Sequence, residues 1–515
     1  MKNAQIKNYL LLAILAITII ACSDLEIEGK DRIIDTSTTE GGIFNGVESV
    51  PASLDNIFNR LGPNLLSIGD FNALQEITTD EQVVPTRGTD WGDNGLWRTL
   101  HTHTWDSSHG MIINTWNAWN ETIFLCSEVI DPRSNASPEE VAQASFVRAI
   151  ATWVIMDMYG QVPARAPDEG PDINPLVLSR TEALTSVLND LDIAIAGLPS
   201  AATGDMDNLK RGTKAAARFL KARVLLNSGV YNGTGNPIGL DEVISLVDEI
   251  AADGFALESG YFGIFEESAD TETVFWLPTG VGVLIYGALH YNQGIGGWNG
   301  YCTLAEFYAM FEGDADNNAP GSGQEERRGF VPGIDESNET NNGIGYGFLV
   351  GQQYNGDGTK TKDRTGNDLV FTKEYPGLIG VGEANGIRVL KYHPSKDNGF
   401  TNHAIIFRYA DAHLMKAEAI LRSGGDATAL VNEIRVLRGA TPLGTITENE
   451  LLEERGRELY LELVRRTDMI RFGQFTRNWE FKDPQFIGDE TRNLYPIPSN
   501  ALLSNPNLVQ NPGYY

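Results

Sequence analysis

The chain has 515 residues, 42% of them hydrophobic, and a formal net charge of −30 at neutral pH. Phosphate binding needs a basic footprint, so this balance argues against nucleic acid and against other anionic polymers as partners. Neutral ligands or a divalent cation remain compatible with it.

The first residues read as a secretory signal: Lys2 and Lys7 give a positive start, Tyr9 to Ala21 are apolar, and the small residue Ala21 precedes Cys22. The run is too short to span a bilayer. Ile19-Ile20-Ala21-Cys22 resembles a bacterial lipobox, which predicts removal of residues 1–21 and lipid on Cys22, with residues 22–515 as a single domain. An ordinary cleaved signal with an incidental cysteine is the alternative. No later run reaches the ~18 apolar residues of a membrane span. Beyond Cys22 only Cys126 and Cys302 remain, too few for a disulfide scaffold, so buried or free thiols are expected.

In chain order, Asp70 to Asp106 is turn-rich and sets Trp91, Trp97 and Trp105 among polar residues. From Thr115 the pattern is of paired helices. In Glu139 to Met158, residues Ala144, Val147, Ala151, Val154 and Met158 draw one apolar stripe. Thr181 to Leu198 and Thr213 to Asn227 repeat the scheme, the latter with small contact residues Ala215, Ala216, Ala217 and Ala222. From about Gly229 to Asn402 the composition shifts to Gly, Asn, Asp and aromatic residues, as loops and short strands require, with Thr273 to Leu277 reading as a strand. A last pair is predicted at Ala404 to Arg422 and Ala427 to Arg438, broken by Gly424-Gly425. The fold expected is mostly α: tetratricopeptide-like helix pairs forming a superhelical scaffold at about 110–230 and 403–475. A loop-rich α+β irregular region caps it, with excursions at about 70–106 and 230–402.

The C-terminal third carries Arg408-Tyr409-Ala410-Asp411, Met415-Lys416-Ala417-Glu418-Ala419, Val431-Asn432-Glu433-Ile434-Arg435 and Glu454-Arg455-Gly456-Arg457-Glu458-Leu459. Arg465-Arg466-Thr467-Asp468, Arg471-Phe472-Gly473 and the stretch from Pro496-Ile497-Pro498 to Tyr514 follow in order. With Arg148-Ala149 and Tyr159-Gly160-Gln161-Val162-Pro163 upstream, the sequence resembles the SusD/RagB family of outer-membrane nutrient-binding lipoproteins. It departs at Leu463-Val464-Arg465-Arg466, where many members have Gly-His-Arg-Trp. The resemblance implies four helix pairs under a loop-rich cap, lipid anchoring in the outer membrane facing the exterior, and a TonB-dependent (SusC-like) transporter as partner. It further implies an oligosaccharide ligand, no catalysis and no cofactor. A surface glycoside hydrolase and a peptide- or glycopeptide-binding lid are the alternatives.

Two constellations have the chemistry of a sugar platform, which needs ring faces beside hydrogen-bonding side chains. The first is Asp80-Glu81, Arg87, Trp91, Asp93, Asn94 and Trp97. The second is Trp298-Asn299-Gly300-Tyr301, where the preceding glycines Gly294 to Gly297 let a ring stand clear of the backbone. The family resemblance places platform aromatics in both regions, which favours Trp91, Trp298 and Tyr301. Packing against the helices is the competing reading, and the better one for Trp276 in its strand.

Asp314, Asp316, Asn318 and Glu325 have calcium-loop spacing, but Ala319 stands where that loop needs glycine, so a solvated acidic loop is expected. His101 and His103 could share one face of a strand, with His109 beyond, yet no matching carboxylate series accompanies them and a metal site is not expected. Glu453 with Arg457, and Glu462 with Arg466, read as stabilising helical i,i+4 ion pairs.

Overall fold

A computed structural model describes residues 44–170, 172–266, 269–394 and 400–514. The signal segment and Cys22 lie outside these residues. The scaffold opens with α1 (Val50–Leu66), whose start is set by Ser49 accepting from the Ala52 amide and by a proline in the first turn. The composition of that segment had not announced a helix. α2 (Asp70–Glu76) follows, buried from Phe71 to Glu76, and then α3 (Leu96–Thr102).

α5 (Pro138–Tyr159), α6 (Arg180–Gly197) and α7 (Lys214–Tyr231) are the helices that the apolar spacing predicts, to within a few residues at each end, and α4 (Gly110–Ile130) opens the paired-helix stretch expected from Thr115. Their N-termini follow local chemistry. Ser137 and Glu140 close a reciprocal capping box on α5, and Ser179 and Glu182 do the same on α6. The alanine stripe of α7 is entirely buried, where small side chains let neighbouring helices approach closely. A hairpin of β1 (Gln161–Ala164) and β2 (Leu176–Ser179) links α5 to α6. α8 (Leu240–Ala252) lies inside the stretch expected to be irregular and packs on α7.

In the cap, β3 (Thr273–Leu277) pairs antiparallel with β9 (Ala404–Arg408), and β4 (Gly329–Phe330), β5 (Tyr346–Leu349) and β8 (Arg388–Leu390) form a three-stranded sheet. β6 (Gly351–Gln352) and β7 (Val370–Phe371) make a short ribbon. The single helix expected over Ala404 to Arg422 is thus corrected. Ile405, Ile406 and Phe407 favour extended backbone and pair with β3, and α9 (Tyr409–Arg422) starts only after Arg408. α10 (Thr428–Leu437), α11 (Glu448–Leu459) and α12 (Arg465–Arg471) complete the scaffold.

A buried ionic lattice joins cap to scaffold. Arg408 of β9 donates to Glu272, Glu458 and Glu462, while Arg438 reaches Glu272 and Glu458 and Arg327 reaches Glu325, Glu454 and Glu458. The expected Glu462–Arg466 pair does not form. α11 ends at Leu459, and left-handed Leu461 and Leu463 (φ 60° and 63°) take the two residues off a common helix. Glu462 instead meets Arg408 and Lys391, and Arg466 meets Asp157 at 2.8 Å. Glu453 and Arg457 do pair, at 3.4 Å.

Candidate functional site

The early loop is built on left-handed backbone. Arg87 and Asp90 exchange both main-chain hydrogen bonds across a tight turn, and Trp91, Asp93, Asn94 and Gly95 all take positive φ, which throws successive side chains to the surface of the loop. Asp93 and Asn94 are exposed, and Trp91 is half-buried. Trp97 is buried, its indole Nε1 donating to Asp93 Oδ2 at 2.7 Å.

The structure brings the two constellations together. Trp91, Trp97 and Tyr301 form an edge-to-face triad with centroids 5.1, 5.9 and 5.9 Å apart. Trp91 Nε1 donates to the Trp298 carbonyl at 2.6 Å. A Cβ on Gly300 would stand 2.3 Å from the Trp91 ring, so only glycine allows this approach. Trp298 is 43% exposed, the largest side chain left open at this place, and it stacks on Tyr286 at 5.6 Å with 26° between planes. Tyr301 is buried beneath, its hydroxyl donating to the Ile68 carbonyl.

Arg87 has a different job from the one its sequence position suggests. It is buried, with Nε donating to the Asn299 carbonyl at 2.8 Å, Nη2 to the Asn385 carbonyl and Cys302 Sγ, and Nη1 to the Gly382 carbonyl. With its donors committed to the protein, the guanidinium braces the loop behind Trp298 and does not face a ligand. Asp80 and Glu81 are likewise interior: Asp80 pairs with Arg465 and Arg477, and Glu81 accepts from the Leu461 amide.

Sequence reasoning missed the residues that support and flank the platform. Arg388, buried, donates to Asn299 Oδ1 and the Glu383 carbonyl, and burial without a carboxylate partner pulls it down to about 10. At the rim, Arg364 stacks over Tyr291 at 3.8 Å and pairs with Asp90 and Glu383, while the Tyr291 hydroxyl donates to Asp90. These contacts span up to 274 residues of chain, and no local pattern announces them. What results is an aromatic cluster of Trp91, Trp97 and Tyr301 beside the exposed Trp298, with Asp93 and Asn94 exposed on the loop that carries Trp91.

The remaining candidates resolve into structure. His101 and His103 sit on α3 and at its left-handed end, not on a strand, and both rings bond backbone carbonyls; burial holds both below the ordinary imidazole value. His109 Nε2 meets the Leu96 carbonyl. In the acidic loop, Asn318 is buried and donates to the Arg328 and Phe348 carbonyls, and Glu325 pairs with Arg327, so the calcium spacing does not converge. Among the described residues no group of three or more His, Cys, Asp or Glu is placed to hold a metal. Trp276 packs in its strand and donates to the Met206 carbonyl. Cys126 and Cys302 are free, buried thiols. Among the described residues no helix is long and apolar enough to cross a membrane.

Residues 289–514 match the family model described as the SusD family. The starch-binding protein SusD of Bacteroides thetaiotaomicron is 26% identical over an alignment covering 100% of both chains. Among solved structures, a SusD-like protein from Bacteroides fragilis superposes with TM-score 0.69 and 21% identity, covering 90% of this chain and 96% of that one. Surface glycan-binding protein A from Bacteroides thetaiotaomicron, solved in complex with laminarihexaose, superposes with TM-score 0.63 and 18% identity over 90% and 98% of the two chains. The C-terminal match, the full-length relative and the shared helical fold agree: residues 289–514 carry the SusD family's match, and the chain is similar to proteins of that family along its whole length.

Proposed function

We propose that this protein captures oligosaccharides at the cell surface, on the face formed by Trp298 and Trp91 with Asp93 and Asn94, and is a binding protein and not an enzyme. One observation carries the reading. An exposed tryptophan is pre-stacked on Tyr286 and fixed through its own backbone to a second tryptophan, so the platform needs no ordering when a ligand arrives. Sugar C–H faces pack on such rings, and the hydroxyls find Asp93, Asn94 and the Arg364–Asp90 rim. Trp97, Tyr301 and Arg87 hold the face in place from below. The names of relatives as starch-, laminarin- and glycan-binding proteins support this class of ligand.

In this reading, lipid on Cys22 tethers the protein to the outer membrane, facing outward, and captured glycan passes to a TonB-dependent, SusC-like transporter over which the protein sits as a lid. The test is affinity. The chain from Ser23 onward, which includes every described residue, is expected to bind at least one class in a panel of neutral oligosaccharides, with Trp298→Ala weakening that binding. New reducing ends appearing in the same incubations would instead favour a hydrolase.

A further inference from the structure

Away from the Trp298 platform, a groove of about 640 Å³ opens between the turn at 260–266, the loop at 320–326 and the β4–β5 hairpin. Its volume and lining are those of a small-molecule site. Three aromatic rings line it. Tyr346 lies 5.1 Å from Phe262 and 6.1 Å from Phe330, and all three are half-buried.

The sequence is arranged to hold them. Phe330 and Tyr346 are cross-strand partners, and the glycines beside them permit strands closer than any side chain would allow. A Cβ on Gly329 would meet the Tyr346 carbonyl oxygen at 2.1 Å, and one on Gly345 would meet the Phe330 carbonyl oxygen at 1.8 Å. Directly behind the hairpin, Arg327 is locked in the buried ionic lattice. On the facing wall the turn buries Tyr261, Ile264 and Phe265 while leaving Phe262 in the groove.

The polar lining is one-sided. Glu266 accepts from the Tyr346 hydroxyl at 3.2 Å, Glu326 accepts from the Tyr261 amide, and among the described lining residues none is Lys or Arg. Glu325 is neutralised by Arg327 behind it, so the rings stand beside Glu266 and Glu326, acceptors that suit a chain of hydroxyl donors and repel anions. A relay of contacts links the groove to the platform. His403 bonds the Glu266 carbonyl and lies three residues from Phe400, at most about 11 Å of extended chain. The Phe400 ring meets Tyr286, on which Trp298 stacks.

We propose that this Phe262–Tyr346–Phe330 groove is a second binding site for neutral oligosaccharide, engaged by chains long enough to leave the Trp298 platform. The inference rests on the platform reading and is separable from it by chain length. The experiment is calorimetric titration of the chain from Ser23 onward with a neutral laminari- and malto-oligosaccharide series from three to ten sugars, and with oligolysine as a cationic competitor for the groove. Phe262→Ala and Glu266→Gln, both at partly open positions outside the hairpin, are expected to lower affinity for the long members about tenfold while leaving trisaccharide binding unchanged. Trp298→Ala lowers both. Long-chain affinity unchanged in both groove variants overturns the proposal and leaves the platform intact. So does oligolysine binding that is lost in Phe262→Ala while glycan binding stays the same. Failure of every sugar to bind the unaltered chain overturns the platform reading, and this one with it.

Discussion

Trp91 and Trp298, 207 residues apart, are joined by one hydrogen bond from the indole nitrogen of the first to the backbone carbonyl of the second. Because the contact is through the backbone of Trp298, its side chain remains free to face solvent. Trp91→Phe keeps a ring in the triad but removes the donor. A neutral hydrogen bond contributes about 1 kcal/mol, so the variant is expected to weaken glycan binding about fivefold and to do so less than Trp298→Ala. Titration of both variants checks the order, and equal losses would mean that Trp91 contributes as much to ligand contact as Trp298 does.

Gly300 packs directly against the Trp91 ring. Adding a methyl there drives it into the Trp91 ring at 2.3 Å, and the neighbouring Asn299 is fixed by Arg87 and Arg388 and cannot give way. Gly300→Ala is expected to lower stability by about 1–3 kcal/mol and to displace the platform, weakening binding as well. A shift in denaturant midpoint with unchanged affinity would show that the loop yields without moving Trp298.

These relations explain what the sequence could and could not tell. α6 is readable because Ser179 caps its start and its core face recurs at three- and four-residue spacing, whereas α5 and α7, capped at Ser137 and Thr213, are buried on nearly every side over Ala149–Tyr159 and Ala222–Gly229 and are marked by long apolar runs. The strand at Ala404 to Arg408 is hidden in the sequence because it runs without a break into α9, and Glu272, Glu458 and Glu462, distant in sequence, hold Arg408 at the junction. The aromatic residues of the platform were legible as types. Which of them face outward was not, since the burial of Trp97 and Tyr301 and the exposure of Trp298 depend on contacts between residues 68, 91, 286 and 298. Arg87 looked like a ligand donor because nothing near it in sequence claims its guanidinium, and the carbonyls that do lie at 299, 382 and 385.

The buried carboxylates set the acid limit. Burial pushes Asp411 and Glu418 up, but the arginines outweigh it: Arg455 and Arg223 hold Asp411 at about 2, and Arg471 and Arg422 do the same for Glu418. A folded value below the unfolded one gives stability that is present above the ordinary carboxylate range and lost as pH falls toward the folded value. Glu76 and Glu81 act oppositely: burial raises both, so the fold gains as they take up protons on mild acidification. The expected profile rises slightly on mild acidification and then falls from about pH 4 toward pH 2. Asp411→Asn, which leaves Arg223 without its buried carboxylate and Arg455 with Asp468 alone, should cost about 3–5 kcal/mol at neutral pH and flatten the acid limb. Urea midpoints across this range measure both, and an unchanged limb in the variant would assign it to other groups.

Lys482 sets a dependence at the other end of the scale. Its ammonium is buried over the Trp479 ring at 3.5 Å and donates to the Phe475 carbonyl, while the nearby carboxylate Asp80 is already engaged by Arg465 and Arg477. Burial, with Arg477 adding repulsion, pulls the amine down to about 7. Between that value and the ordinary lysine range the unfolded chain binds a proton that the folded chain does not, so stability rises with pH through the window. Lys391, pulled by burial to about 8, adds the same sign; the buried Cys126 thiol, pushed up by burial, opposes it in part from about pH 8.5, and the buried tyrosines only where an exposed phenol would ionise, above about pH 10. The unaltered chain is therefore expected to show a higher urea midpoint at about pH 9.5 than at about pH 7. Lys482→Met fills the same space with an apolar side chain and removes the buried amine. It is expected to stabilise the protein at neutral pH and to reduce the alkaline gain to the share that Lys391 supplies. If the variant is less stable at neutral pH and retains the full slope, the cation–π contact with Trp479 outweighs the desolvation of Lys482, and the alkaline gain belongs to another group.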